Sequence, residues 1–221
     1  MKTRDFKSSL YKELATVTKA LSNPHRLEIL DLLSQGSFPV EYIASQTNMP
    51  IANASQHLQV LKNSGLVETR RDGKYIYYQM YDDQVFDTWM AMRQLGFSRN
   101  EQIHSLLTSF RKERDQLDQI SSDELLRKID NNEIYLIDVR PEDEYKLGHI
   151  KDADSKPYRQ LLKSMEDLPK DREIVAYCRG PLCMMADEAV LHLRKKGFRA
   201  YRLENGYTDW VSENKPVVKG D

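Results

Sequence analysis

The chain has 221 residues, enough for one large domain or two small ones that each bury a core. Lys and Arg number 33 against 34 Asp and Glu, so bulk charge names no nucleic-acid partner, and such a partner has to be argued from local patches. The opening MKTRDFKSSLYKEL is too polar for a signal-peptide core and no run approaches membrane-spanning length, so a cytoplasmic protein with no membrane partner is expected. In that compartment two cysteines are chemical rather than stapling.

Residues 1–98 read as short helices plus one hairpin. Pro24 opens a helix whose apolar face is Leu27, Ile29, Leu30, Leu32 and Leu33, and Gln35-Gly36 ends it. A short helix follows near Pro39–Gln46, then a turn at Thr47-Asn48-Met49-Pro50, then a helix from about Ile51 to Ser64 that stops at Gly65. "LVETR" and "YIYYQM" flank "RDGK", where Asp72-Gly73 is read as the central pair of a hairpin turn.

On the helix from Ile51, Ala54, Leu58 and Leu61 form the inward stripe and leave Asn53, Ser55, Gln56, Gln59 and Asn63 outward. Amide and hydroxyl side chains suit base edges, and Asn or Gln pairs bidentately with adenine. The helix is thin in positive charge, with Lys62 and His57, but Arg70, Arg71 and Lys74 cluster at the hairpin tip, placed to neutralise phosphates. Taken alone, the helix is an ordinary solvated face and the hairpin an ordinary charged turn. Helix, turn, helix and wing in that order point to a DNA reader.

The stretches "ALSNPHRLEILDLL" and "ASQHLQVLKNSGLVETRRDGKYIYY" resemble the winged helix-turn-helix of the ArsR/SmtB repressor family. The resemblance implies a homodimer that binds an imperfect inverted repeat in double-stranded DNA and loses affinity when an inducer binds. Many members sense metals through cysteines on the first helix of the DNA-reading pair, which here reads "PVEYIAS", or through Asp/His pairs on a last helix, which here reads "DDQVFDTWMAMR". Neither set of ligands is present, so no metal site is expected in this half; His25 and His57 read as packed or solvated. The signal has to enter elsewhere.

Residues 99–120 form a charged helical connector, "RNEQIHSLLTSFRKERDQLDQ", with Ile103, Leu106, Leu107 and Phe110 on one side; it links the halves, dimerises, or both. Residues 121–221 alternate helix and apolar strand, which implies a parallel sheet with helices on both faces. Ser121 and Glu124 are spaced for a capping box, "IYLIDV" is a buried strand, and Pro141 starts the helix in "PEDEYKLG". "EIVAYC", "MMADEAVLHLRKKG" and "FRAYRL" follow as strand, helix and strand, the helix ended by Gly197. The expected fold class is therefore two domains, a mainly-α winged helix-turn-helix with a β-hairpin wing and an α/β parallel-sheet domain.

Cys178 ends an apolar strand, and a helix begins near Met184. Loop N–H groups and a helix N-terminus there favour an anion and a thiolate, with Arg179 adding charge and Gly180 allowing a tight turn. Residues Arg179, Gly180, Leu182, Cys183 and Met184 make the expected anion cradle, although Pro181 has no N–H to give. Phosphate-ester chemistry of the Cys-x5-Arg kind needs an arginine at position 184, where the chain has Met184. Sulfur transfer, in which Cys178 becomes a persulfide, needs no such clamp. Cys183 is either a resolving thiol that attacks the persulfide and releases sulfide, or a first-turn helix residue facing the core. Two cysteines are too few for structural zinc.

"LIDVRPEDEYKLGHI", "YCRGPLC" and "GFRAYRLENGYTDW" together are similar to rhodanese domains, although the GHI turn continues "KDAD" instead of the frequent Pro-Gly. The resemblance assigns Cys178 as the sulfur-carrying nucleophile and residues 179 to 184 as its cradle. It makes Asp138, Arg140 and Glu144 a strand-end charged group, read as structural, with His149 architectural and Tyr207 and Trp210 packed. No cofactor is expected. Three functions compete: a DNA-binding regulator, a repressor, that senses sulfane sulfur from a donor such as thiosulfate or polysulfide; a sulfurtransferase localised or dimerised by its N-terminal half; and, more weakly, a dithiol site for arsenite.

Overall fold

The structure, a computed structural model, describes residues 3–111, 117–163, 165 and 167–220. The chain forms two compact units, Met1–Ala91 and Met92–Asp221.

The first unit contains α1 (Thr3–Leu21), α2 (Pro24–Leu33), β1 (Phe38–Pro39), α3 (Val40–Gln46), α4 (Ile51–Asn63), β2 (Val67–Asp72) and β3 (Tyr75–Met80); α5 (Asp83–Arg99) begins in it. Asn23 is extended and its side chain accepts a hydrogen bond from the Arg26 N–H at 3.2 Å, while Pro24 occupies the first turn, where no N–H is needed. α4 ends because Gly65 takes φ +69°; the Gly65 N–H then reaches Lys62 O and the Leu66 N–H reaches Leu61 O, both at 3.0 Å. Ile29, Leu30, Leu33, Phe38, Ile43, Ala54, Leu58 and Leu61 are buried and make the core. The strands order as β1-β3-β2, so the wing gains a third strand that the sequence did not announce.

Asp72 pairs with Tyr75, which corrects the expected turn: its two central residues are Gly73 and Lys74, not Asp72 and Gly73. Gly73 supplies the positive φ, +58°, leaving Asp72 extended in β2. Two helices are long where residues 1–98 read as short helices: α1, a helix that reading did not place, runs 19 residues, and α5 runs 17. Of α1 only Ala20 is buried, and Phe6, Leu10, Tyr11 and Leu14 stay exposed.

The second unit takes the last turns of α5 and continues with α6 (Glu101–Arg111), β4 (Gln119–Ile120), α7 (Ser122–Asp130) and β5 (Ile134–Asp138). Then come α8 (Glu142–Leu147), β6 (Gly148–Ile150), β7 (Asp154–Ser155), α9 (Tyr158–Leu161) and β8 (Glu173–Tyr177). α10 (Met185–Lys195), β9 (Ala200–Leu203), α11 (Tyr207–Ser212) and β10 (Val217–Lys219) complete it. The main sheet orders β4-β9-β8-β5-β7, every pair parallel, while β10 pairs antiparallel with β6.

Successive residues of β5 and β8 face opposite sides, and both sides are apolar. Ile137, Ile174 and Ala176 pack with Ala189, Val190 and Leu193 of α10. Leu136, Val175 and Tyr177 pack with Leu125 of α7 and Trp210 of α11. Burial on two faces is why these strands read as unbroken apolar runs. Ser121 caps α7, accepting from the Glu124 N–H at 3.3 Å, and Gly197 follows α10 at φ +87°. On the connector, Ile103 and Leu107 are half-buried and Leu106 is exposed, while the Phe110 side chain and residues 112–116 lie outside the described residues. Among the described residues no helix is long and apolar enough to cross a membrane.

Asn23→Ala should cost about 1 kcal/mol through loss of the α2 cap. A lowered urea midpoint for the first unit's transition in the full chain checks this.

Candidate functional site

β8 is buried along its length and delivers Cys178, 3% exposed, to the end of the sheet. The chain then turns through Arg179–Leu182 and returns to Cys183, two residues before α10 begins. The two sulfurs are bonded in the structure, with Cα atoms 6.1 Å apart, inside the range a disulfide spans. The loop closes further by a hydrogen bond from the Cys183 N–H to Gly180 O at 3.0 Å, which commits one donor of the expected cradle. Leu182 is exposed, and Gly180, Cys183 and Met184 are half-buried. In this closed form Cys178 is buried and carries no free thiol, so any thiol chemistry there requires the reduced loop.

Beneath the loop lies a layer of buried charge. Asp138, Arg140 and Glu144 are each 0% exposed. Arg140 donates through Nε to both Asp138 oxygens at 3.0 Å and through Nη2 to Asp138 Oδ2 at 2.6 Å and Gly148 O at 2.7 Å. Its guanidinium also lies 4.0 Å from the Tyr207 ring centroid. Burial opposes its charge, but the Asp138 carboxylate, by field and by hydrogen bond, outweighs that and holds Arg140 above its ordinary pKa, with Glu144 adding to the same effect. Glu144 in turn accepts from Arg179 Nε at 2.9 and 3.1 Å. Arg179 is thus drawn from the loop toward the charged layer, a pairing that sequence spacing gave no means to see. His149 stacks on Tyr145 at 3.8 Å and hydrogen-bonds Tyr145 O through Nδ1; Tyr207 and Trp210 are buried.

The far side of the loop is built by α11 and α5. The Tyr207 N–H donates to Cys178 O at 2.9 Å, and Thr208 donates to Arg179 O from its N–H at 3.2 Å and its hydroxyl at 3.0 Å. Arg93 is 8% exposed, pairs with Asp209, and lies 3.5 Å from Thr208 Oγ1. Burial raises the Asp209 pKa against the lowering effect of Arg93. Sequence reasoning singled out Tyr207 and Trp210 from "ENGYTDW" and passed over Gly206, Thr208, Asp209 and Arg93. The signal available was the Gly between two polar residues ahead of a helix; Arg93 had none.

In the first unit, α4 exposes Asn53, Ser55, Gln56, Gln59, Lys62 and Asn63 on one side while Ala54, Leu58 and Leu61 are buried. Gln59 donates to Asn63 Oδ1 at 2.7 Å, one turn apart, which fixes one amide of the row. Lys62 Nζ donates to Thr69 Oγ1 at 2.8 Å and so lies where α4 meets β2. Arg70, Arg71 and Lys74 are exposed on the wing; Arg71 Nε donates to Gly73 O at 3.2 Å and Lys74 lies over the Tyr75 ring at 5.2 Å. His57 and His25 have ring centroids 5.4 Å apart, and burial, then His25 and Arg26, lower the His57 pKa.

A three-stranded winged helix-turn-helix and a parallel α/β unit with a strand-end cysteine loop define a helix-turn-helix regulator that carries a rhodanese-like domain. The chain belongs to the ArsR/SmtB-type winged helix-turn-helix transcriptional regulators with a C-terminal rhodanese-like domain. The helix-turn-helix domain family matches residues 21–70 and the rhodanese-like domain family residues 121–213. An HTH-type transcriptional regulator of Mycobacterium tuberculosis is 39% identical over 223 residues, covering 98% of each chain. A sulfurtransferase of Allochromatium vinosum is 30% identical over 104 residues, covering 46% of this chain and 95% of its own. A homodimeric winged helix-turn-helix DNA-binding domain from Mycobacterium bovis, solved by NMR, is 40% identical, covers 45% of this chain and 91% of its own, and superposes with a TM-score of 0.43.

Gly206 holds the loop by having no side chain: a Cβ there would lie 2.5 Å from Gly180 Cα and 2.6 Å from the Arg179 carbonyl carbon. Its φ of −135° suits any residue, so the penalty of Gly206→Ala is steric alone. The variant should lose about 1–3 kcal/mol from the second unit's urea transition, the usual cost of overpacking.

Proposed function

We propose that the protein is a homodimeric DNA-binding regulator, a repressor, whose second unit takes sulfane sulfur on Cys178 and converts it to the Cys178–Cys183 disulfide. The observation that carries this reading is the bond between Cys178 and Cys183 at the rhodanese-type strand end. Both thiols of the chain stand there, and the winged unit has no cysteine of its own. Relatives named as repressors, among them an arsenical resistance operon repressor of Staphylococcus xylosus 41% identical over 70 residues, support DNA as the partner. The homodimeric relative from Mycobacterium bovis supports the dimer, and double-stranded DNA with an imperfect inverted repeat is the site such symmetry reads. A protein of this kind works in the cytoplasm.

The chemistry balances without a cofactor. The Cys178 thiolate attacks the outer sulfur of thiosulfate, forming the Cys178 persulfide and expelling sulfite; a polysulfide donor leaves as a shortened polysulfide. The Cys183 thiolate then attacks the inner sulfur, forming the Cys178–Cys183 bond and expelling hydrosulfide. The two thiols lose two electrons and the donated sulfur gains them. A cellular dithiol restores the protein's thiols and is itself oxidised to a disulfide.

On the DNA side, α4 lays Asn53, Ser55, Gln56 and Gln59 against base edges, while Lys62, Arg70, Arg71 and Lys74 meet phosphates. Arg70→Ala should weaken binding evenly across sequences and lower the log–log salt slope by about one. Titrations of a duplex selected from a random pool by the wild-type protein, at several salt concentrations, measure this. On the same duplex, polysulfide treatment should reduce wild-type affinity by about tenfold or more, about 1.4 kcal/mol, and leave Cys178→Ser unchanged. Equal affinity in treated and untreated wild type sinks the sensing reading. Turnover of thiosulfate that disappears in Cys178→Ala and persists in Cys183→Ser would favour an enzyme instead.

A further inference from the structure

Arg93 has no role in the chemistry above, yet it is a buried cation on a helix, inside the second unit, one residue away from the cysteine loop. Its guanidinium pairs with Asp209 and approaches Thr208 Oγ1 at 3.5 Å, both on α11. A Cβ placed on Gly180 would stand 3.4 Å from Arg93 Nη1, from Asp209 Oδ2 and from Thr208 Oγ1 alike, so these three groups form the wall against which the loop rests. The loop's first two carbonyls are tied to the same helix, Cys178 O by the Tyr207 N–H and Arg179 O by Thr208. On its own helix Arg93 is held by Phe97, whose ring centroid lies 6.0 Å from the guanidinium carbon one turn later.

We propose that Arg93 is a positioning residue that couples the covalent state of the Cys178–Cys183 loop to the seating of α5. This rests on the reading that the loop changes state, because a loop locked as a disulfide has nothing to report. When a dithiol reductant opens the bond, giving two protein thiols and one reductant disulfide, the constraint between residues 178 and 183 is gone. The turn that places Gly180 against Thr208, Asp209 and Arg93 is then free to relax. Asp209 Oδ2 is buried with no hydrogen-bond partner among the described atoms, and Arg93 is the cation paired with this carboxylate, which backbone N–H groups of Gly206 and Asp209 also support. A buried carboxylate is not readily separated from its cation, so Arg93 follows α11, and α5 follows Arg93. α5 is one continuous helix whose first turns belong to the DNA-reading unit, so its seating is a quantity both units share.

Hydrogen exchange on the full chain, prepared as disulfide and as dithiol, tests the coupling. The α5 amides should exchange at rates differing by about fivefold or more between the two forms, the lower end of ordinary coupling between sites. Arg93→Ala should abolish the difference while its cysteines still oxidise and reduce, as mass spectrometry reports. Arg93→Lys, which keeps a cation beside Asp209, should retain a difference; a merely structural role predicts no such rescue. If Arg93→Ala fails to fold, Asp209→Asn serves, with the same loss expected. Wild-type α5 exchange that ignores the thiol state, or an undiminished difference in Arg93→Ala, overturns the proposal. Affinity for the selected duplex, measured on the same samples, separates the two readings. Affinity that follows the thiol state while α5 does not removes Arg93 as the coupler and keeps sensing. Exchange that follows the thiol state while affinity stays constant keeps the coupling and removes sensing.

Discussion

The ion pair between Asp138 and Arg140, both fully buried at the end of β5, is the constraint around which the second unit is arranged. Burying two charges is costly unless their hydrogen-bonding capacity is met, and here it is met by the pair itself, by the Gly148 carbonyl and by the face of Tyr207. Those partners come from β6 and α11, so satisfying the pair fixes two segments distant in sequence. Tyr177 on the neighbouring strand accepts a hydrogen bond from the Ile150 N–H on its hydroxyl oxygen at 3.1 Å, and its ring centroid lies 5.7 Å from the same guanidinium. The next layer, Glu144 with Arg179, joins the first residue of the cysteine loop to this centre. The loop is positioned by the fold's most buried charges, and α11, which clamps its carbonyls, is positioned by them as well.

How much of this the sequence could carry depends on the range of the interaction. Local rules read well: Pro24 as a helix start, Gly65 and Gly197 as helix stops, and Ser121 as a cap all rest on interactions within a few residues, although the Asn23 cap ahead of Pro24 was not read. The two-sided burial of β5 and β8 was legible because it needs only an apolar run. The hairpin was legible as a hairpin, but its register was off by one. Asp72 and Gly73 both tolerate turns, and only the pairing of Asp72 with Tyr75 decides which two residues bend. α1 was passed over although Phe6, Leu10 and Leu14 recur every four residues; in the single chain that stripe is exposed and meets no core.

The candidate site divides in the same way. Cys178 and its loop are a contiguous motif and announced themselves, whereas every group that holds the loop from outside is remote. Arg179 reaches Glu144 across 35 positions and Arg93 reaches Asp209 across 116. A single sequence gives no reason to pair those residues, and Arg93 lies on a helix read as the last of the winged half, in "DDQVFDTWMAMR". On α4 the exposed residues were legible, because outward positions follow from the inward stripe of Ala54, Leu58 and Leu61. The side-chain bonds that order them, Gln59 to Asn63 and Lys62 to Thr69, were not.

The placement of Arg179 bears on which chemistry the loop suits. An arginine following a nucleophilic cysteine looks like an oxyanion ligand, and in a phosphate site it would donate a bidentate pair of hydrogen bonds to the substrate. Here its Nε donates to the buried carboxylate of Glu144. Drawing it away would take a hydrogen-bonded cation from a fully buried carboxylate, a cost of several kcal/mol. Position 184, where a phosphate clamp would need its arginine, is Met184, and Pro181 has no N–H to offer. The loop therefore lacks the bidentate arginine clamp that phosphate-ester cleavage needs. A persulfide needs no such clamp: it carries one negative charge that backbone N–H groups can meet, and a second thiol enters only in its resolution to a disulfide. The loop places that second sulfur at Cys183. Met184 and the Arg179–Glu144 pairing speak against phosphate-ester cleavage and leave the proposed sulfur chemistry open to this loop.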